Sequence, residues 1–481
     1  MPGSTDTGRV DVVNRRVVRA EPPPSSSPAP ETIHLTPWDL RLITIDYIQK
    51  GVLLPKPPSK HAAVVERLAS SFARALGLFH PFAGRLAVDE SAGDETITVS
   101  LRCTGEGAEF IHASAPGVTA ADITGDLCIP RELVASLFPL NGLVSADAAS
   151  PDGEPRRAPL LAAQVTELDD AVFVAASLNH AVGDGTTFWH FFNTWSDLCR
   201  SGPGATTEQP PPVLERWFLD TCPVPVPLKF AKLEDAIRRH DDENHHHQQQ
   251  QAPLLQECFF HFSGESVKKL KARANAEVHS AIPGSATITI SSLQAVLGHL
   301  WRSVCRARRL DPWQETTYVL LIGCRGRVKG IPAGSGYVGN AVVPCKVRST
   351  AGEVMGKGLG WTAWQLNRAV ASLDDEAALV RESLERWVSE PTTRLAYNTE
   401  LLGAADVGTG SSPRFDVYGN DFGWGKPEAV RCGPGNKLDG KTTVFEGRGG
   451  GGAMALEVCL AADALARLVA DDEFMHAVTK P

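Results

Sequence analysis

Apolar residues recur at helical spacing from His61 to Phe79, where Val64, Leu68, Phe72, Leu76 and Phe79 share one face and predict a packed amphipathic helix. A second such face runs through Ser291 to Leu310 on Leu293, Val296, Leu297, Leu300, Trp301, Val304 and Cys305. Shorter β-rich runs predict strands at Arg9 to Ala20, Thr96 to Leu101, Ala171 to Leu178, Glu257 to Ser263 and Thr316 to Gly323. Further helices are expected at Ser266 to Glu277, Leu359 to Leu373, Asp375 to Ser389 and Ala462 to Ala477, whereas HPFAGRL at His80 to Leu86 reads as turn. Strands and helices mixed in this way, without a repeat of fixed period, predict an α/β protein.

The pattern fails after Cys199. Ser201 to Pro212 is rich in Pro and Gly, and Asp241 to Gln251 (DDENHHHQQQQ) is low in complexity, so a crossover between domains is expected there. His245, His246 and His247 lie in that polar tract with no fixed geometry and no Cys partners, and they read as solvated linker. A chain of 481 residues exceeds the size at which one core stops growing. The expected division is residues 1–200, a linker at 201–255, and residues 256–481.

Composition adds few surprises: 43% hydrophobic and 21% charged residues suit an ordinary folded core. The net charge of −9 argues against nucleic acid as a partner, because such binding rests on many Lys and Arg contacts. A local basic cluster, Lys268, Lys269, Lys271 and Arg273, remains available for one phosphorylated ligand, or simply as a solvated helix face. The start MPGSTDTGRV lacks the apolar core of a secretion signal, and no apolar run is long enough for a membrane span. Arg15, Arg16 and Arg19 before the Pro/Ser run have a transit-peptide flavour that Asp6, Asp11 and Glu21 weaken. A soluble cytoplasmic monomer with reduced, mostly buried thiols is expected, since the ten Cys form no C-x-x-C pair. No zinc pattern, Rossmann fingerprint or G-x-S-x-G elbow appears; GRGGGG at Gly447 to Gly452 lacks a P-loop ending and reads as a strand connection.

The chemistry concentrates where the apolar strand Ala171 to Leu178 runs into Asn179 and His180, then a glycine turn (Gly183, Gly185), then an aromatic helix. A polar group at a strand end is held rigidly yet can face a cleft, as a positioned base requires. A neutral imidazole can take a proton from an attacking hydroxyl or amine. Asp184 either orients that imidazole or braces the loop, and spacing alone does not choose. Downstream, DFGWG at Asp421 to Gly425 forms a tight loop around Phe422 and Trp424.

Together, His180 to Asp184 (H-x-x-x-D) and Asp421 to Gly425 (D-F-G-W-G) resemble the signatures of the plant BAHD acyltransferases. HPFAGRL, IGCRGR and YVGNAV, the last two within Ile322 to Val342, extend the resemblance over nearly the whole chain. The resemblance implies an α/β fold of two similarly sized domains, of chloramphenicol-acetyltransferase-like topology, with a solvent channel between them and His180 at its centre. It implies a small-molecule acceptor, acyl-CoA as co-substrate, and no permanently bound cofactor or metal. Asn179 stands where the related condensation domains carry a second His, which favours a free CoA donor.

The resemblance also implies roles residue by residue. His180 is the catalytic base, with Asp184 beside it turned toward an Arg, for which Arg325 is preferred to Arg327. Gly183, Asp421, Gly423, Trp424 and Gly425 are structural. Lys268, Lys271 and Arg273 are candidates for CoA phosphates, Thr36 and Trp38 for the acceptor pocket, and Ser411 or Ser412 for a donor to the oxyanion. Activity is then expected to rise through an apparent pKa of about 6 to 7 as the imidazole becomes neutral. Elimination or lyase chemistry on the same scaffold, and a non-catalytic binding protein, are the competing readings.

Overall fold

The strand Ala171–Leu178 is buried at every position, so its sequence AVFVAASL does not alternate. It lies inside a six-stranded sheet, antiparallel to Leu161–Glu167 on one side and Ile48–Pro55 on the other. The full order is Asp11–Val18, Ala108–Ser114, Leu161–Glu167, Ala171–Leu178, Ile48–Pro55 and Ala429–Cys432. These relationships come from a computed structural model that describes residues 9–21, 32–58, 61–91, 93, 95–151, 158–236, 253–281, 287–334, 336–375, 377–389 and 402–479. The low-complexity tract with His245 to His247 lies outside the described residues.

A second six-stranded sheet runs Leu255–Phe262, Met454–Ala461, Lys441–Glu446, Val407–Gly410, Glu315–Gly323, Val342–Thr350. A smaller sheet of four strands (Thr32–His34, Thr96–Arg102, Arg85–Ser91, Ala149–Pro151) sits with the first half. Helices His61–Leu78 and Gly185–Ser201 pack together in the first half, and Gly264–Ala281, Ser292–Ala307 and Gly358–Asp375 in the second. Each half has its own large apolar core, as a chain of this length requires.

The halves exchange chain. Ala429–Cys432, from the far end of the sequence, pairs with Ile48–Pro55 and completes the first sheet. Leu127 to Ile129, from the first half, pairs at Cys128 with Cys258 on the edge strand of the second sheet. A third, small core mixes Trp38 with Leu219, Val328, Tyr337 and Leu384. Residues 201–236 are largely irregular but packed, and Val213 bridges to Tyr337.

Local departures from the sequence pattern have local causes. HPFAGRL is a short 3-10 turn, His80–Ala83, running directly into the strand Arg85–Ser91. The stretch expected as one closing helix is two, Ala462–Val469 and Asp472–Met475, because Asp471 caps the second and ion-pairs with Arg306 at 2.8 Å. GRGGGG connects the antiparallel strands Lys441–Glu446 and Met454–Ala461. No helix among the described residues is long and apolar enough to cross a membrane.

Candidate active site

Two residues beyond the end of Ala171–Leu178, the chain turns out of the sheet at His180. Asn179, fully buried, caps the strand end: its Oδ1 accepts the Ala181 N–H at 3.0 Å and its amide donates to the Ser145 carbonyl at 2.9 Å. The Ser145 hydroxyl accepts the His180 N–H at 2.9 Å and donates to the Ile45 carbonyl at 3.0 Å. The His180 carbonyl accepts from the Asn340 amide at 2.8 Å. The backbone of His180 is thus fixed from two sides, by a residue of each half.

The ring is only partly buried. Nδ1 is enclosed with no hydrogen-bond partner among the described residues, and no hydrogen bond to Nε2 is found among them. Burial desolvates the imidazole and lowers its pKa to about 4; Lys441 lowers it further, while its own backbone, Asp184 and the Asn340 side chain act in the opposite direction. The titration expected near 6 to 7 therefore moves down, and the ring is neutral throughout the physiological range.

Asp184 does not orient the imidazole. Its Oδ1 caps helix Gly185–Ser201, accepting the N–H groups of Thr186 at 3.0 Å and Thr187 at 3.1 Å. Arg325 donates to Oδ2 at 2.6 Å and to Oδ1 at 3.0 Å, and the Ala341 N–H reaches Oδ2 at 3.0 Å. Burial would raise this carboxyl, but Arg325 and the backbone donors hold it below the ordinary Asp range. Gly183 is required by close approach, since a Cβ there would lie 2.5 Å from the Thr187 methyl. Thr187 in turn exchanges hydrogen bonds with Gly339, donating at 3.0 Å and accepting at 3.1 Å. Arg327 instead donates to the Gly323 carbonyl.

Three residues that sequence reasoning missed complete this joint. Asp39, fully buried, accepts from both the backbone and the amide of Asn340 at 3.1 and 2.9 Å. Arg216, from the segment expected to be linker, donates to the Val182 carbonyl at 3.0 Å and to that of Val338. The legible signals were the T-P-W-D capping pattern for Asp39 and the YVGNAV segment for Asn340; nothing marked Arg216.

The other candidates fall into place as follows. Thr36 is fully buried and spends its hydroxyl on the capping box with Asp39, and Trp38 packs on Trp217 at 5.4 Å, so neither presents an open face. Ser411 has a positive φ and Ser412 accepts the Arg414 N–H at 3.2 Å, both within a turn. In the basic cluster, Arg273 is committed to Glu277 and Glu473 and Lys269 to Glu265, leaving Lys268 and Lys271 without ion pairs among the described residues. Asp421 accepts the N–H groups of Gly423 at 2.7 Å and Gly425 at 3.1 Å, and both glycines have positive φ, which the loop requires. Phe422 packs on Trp195 at 5.2 Å and Trp424 donates to the Pro55 carbonyl at 2.9 Å, so the loop clasps the first half.

A buried charge cluster lies beside the site. Lys437 pairs with Glu257 at 2.8 Å and with Glu457, Lys50 meets the Cys432 sulfur at 2.8 Å, and Lys441 is held down to about 8 by burial and by Lys50. The Lys441 ammonium has no hydrogen-bonding partner among the described residues, and its charge is felt at His180. No group of three or more possible metal ligands comes together among the described residues.

Comparison with known proteins agrees over the length of the chain. A model described as the Transferase family matches residues 9–475. An uncharacterised acetyltransferase of Arabidopsis thaliana is 36% identical, covering 93% of this chain and 94% of its own. The BAHD acyltransferase DCR of Arabidopsis thaliana is 31% identical over 92% and 88%, and the shikimate O-hydroxycinnamoyltransferase of Nicotiana tabacum 27% over 82% and 85%. In fold, the chain resembles TRI101 of F. sporotrichioides, solved with coenzyme A and T-2, with a TM-score of 0.70 at 19% identity over 93% of this chain and 99% of that one.

Proposed function

The chain belongs to the BAHD transferase family, and from that premise we propose that His180 is the general base of a direct acyl transfer. The enzyme moves an acyl group from a CoA thioester to the hydroxyl or amine of a small molecule. The observation that carries the role of His180 is a neutral, partly exposed imidazole at a strand end whose backbone is clamped from both halves. Nε2 takes the acceptor proton as oxygen or nitrogen attacks the thioester carbonyl. The tetrahedral oxyanion then collapses, the C–S bond breaks, and CoA leaves as a thiolate that recovers the proton from the imidazolium. Proton transfer of this kind supplies ~10²- to 10⁴-fold.

Asp184 is a positioning residue, since all of its hydrogen bonds serve the turn and the joint between halves. For the oxyanion, Lys441 is a better candidate than Ser412: it is a cation with no hydrogen-bonding partner among the described residues and it acts on the same imidazole, whereas the Ser412 hydroxyl is neutral and held in a turn by the Arg414 N–H. Lys268 and Lys271 are the members of the basic cluster still available to CoA phosphates. The two ligands are read as reaching His180 through a channel between the halves, in a cytoplasmic monomer without a permanent cofactor. The wild-type protein and His180→Ala are to be incubated with a panel of acyl-CoAs and mixed alcohols and amines while free thiol is followed. Thiol release by the wild type alone supports the reading, and failure of every donor rejects it.

A further inference from the structure

The edge of the second sheet carries a thiol pair that acyl transfer does not use. Cys128 comes from the first half and Cys258 from the strand Leu255–Phe262, and they face each other in an antiparallel bridge with their sulfurs 3.0 Å apart. The flanking hydrogen bonds, Ile129 N–H to the Glu257 carbonyl at 2.8 Å and Phe259 N–H to the Leu127 carbonyl at 2.9 Å, make this a non-hydrogen-bonded pair. In such pairs the Cα atoms lie about 4.5 Å apart, within the span a disulfide accepts. The sulfurs need to approach by only about 1 Å to reach bonding distance.

We propose that Cys128 and Cys258 form a reversible oxidation site, closing a disulfide between the two halves of the chain when the protein meets a small-molecule disulfide. Access sets the order of events. Cys128 is exposed, while Cys258 is fully buried, and its burial beside Cys128 and Glu257 raises its thiol. The Cys128 thiolate, its proton given to solvent, attacks one sulfur of the oxidant and expels the first small thiolate. Cys258 then loses its proton and attacks the Cys128 sulfur, expelling the second. The protein gives up two electrons and two protons, and the oxidant becomes two thiols.

The bond would span 130 residues of sequence, closing a loop that contains His180 and the crossover. It would fasten the segment that the first half lends to the second sheet, so the linked protein is expected to melt higher by about 2–4 °C.

The test treats the full chain with oxidised glutathione, alkylates it under denaturing conditions without reduction, and maps the peptides by mass spectrometry. The expected product joins the Cys128 and Cys258 peptides with the loss of two hydrogens, reverts with dithiothreitol, melts higher, and is absent from Cys128→Ser. That variant replaces an exposed side chain outside the acyl-transfer site, so its reduced-state thiol release should match wild type. Glutathione left on Cys128 with Cys258 still alkylated, or linkage of Cys258 to a different cysteine in Cys128→Ser at equal yield, would overturn the proposal. Linkage without any rise in melting temperature would overturn the tie between halves.

Discussion

The Asn340 side-chain amide reaches the His180 carbonyl at 2.8 Å across 160 residues of sequence, and the same amide is held by Asp39 at 2.9 Å. The proposed base, at a strand end, is thereby fixed by a residue from the other half of the molecule. Asn340→Ala leaves the buried Asp39 carboxylate short of a donor and the His180 carbonyl unpaired, at a cost of about 1–3 kcal/mol. Because the imidazole is then free to shift, kcat is expected to fall by about 10-fold or more with a smaller change in KM. Steady-state kinetics together with thermal melting of the variant check both effects.

The Asp184–Arg325 pair predicts a large and non-additive loss. Both side chains are almost fully buried, and the carboxylate is shared among Arg325 and three backbone N–H groups. Removing either partner strands a charge out of water, which typically costs about 3–5 kcal/mol. Arg325→Lys should also lose most of it, since an ammonium cannot donate the two parallel bonds of 2.6 and 3.0 Å. Urea unfolding of both single variants and the double variant measures the coupling, and the double variant is expected to lose much less than the sum.

Much of this architecture is legible in the residue pattern. His61–Leu78 shows its helical face plainly, and Ala171–Leu178 has the strand character of a short apolar, β-rich run. The two motifs are legible because each is contiguous. What stays hidden is what the chain assembles over distance: Asn340 on His180, Arg216 from a Pro- and Gly-rich stretch, and Ala429–Cys432 in the opposite sheet. The desolvation of His180 is equally invisible to spacing, because neighbours remote in sequence produce it.

That burial moves the pH profile. With His180 lowered to about 4, the base is neutral above that value, so the acidic limb of kcat/KM should lie well below the ordinary 6.5 of histidine and activity should be flat from pH 6 to 7.5. Lys441 contributes to the depression, so Lys441→Met should shift the limb upward, toward 6.5. If Lys441 also steadies the oxyanion, kcat at the plateau falls by ~10²- to 10³-fold. A plateau loss without a shift of the limb would separate the second role from the first.

His299 predicts how stability responds to acid. It is buried in helix Ser292–Ala307 and stacked on Phe474 at 5.5 Å, and neither ring nitrogen makes a well-formed hydrogen bond among the described residues. Burial lowers it to about 4, with Arg306 and Arg302 adding to the effect and Glu473 and the Phe474 backbone opposing it. The folded pKa is depressed below the unfolded value of about 6.5, so between those values the unfolded chain binds the proton that the folded chain refuses. Stability contributed by the neutral ring is complete above pH 6.5, falls as pH drops toward 4, and levels off below it. The loss is roughly 3 kcal/mol for His299, and His180, lowered in the same way, adds a similar amount. Urea midpoints measured from pH 7 to 4.5 should therefore decline, and His299→Leu, which removes one titrating ring while keeping an apolar side chain, should flatten part of the decline, leaving the rest to His180, His80 and His261, which burial also lowers. Equal slopes for the variant and the wild type would mean that the ring takes up its proton in the folded state at its ordinary pKa.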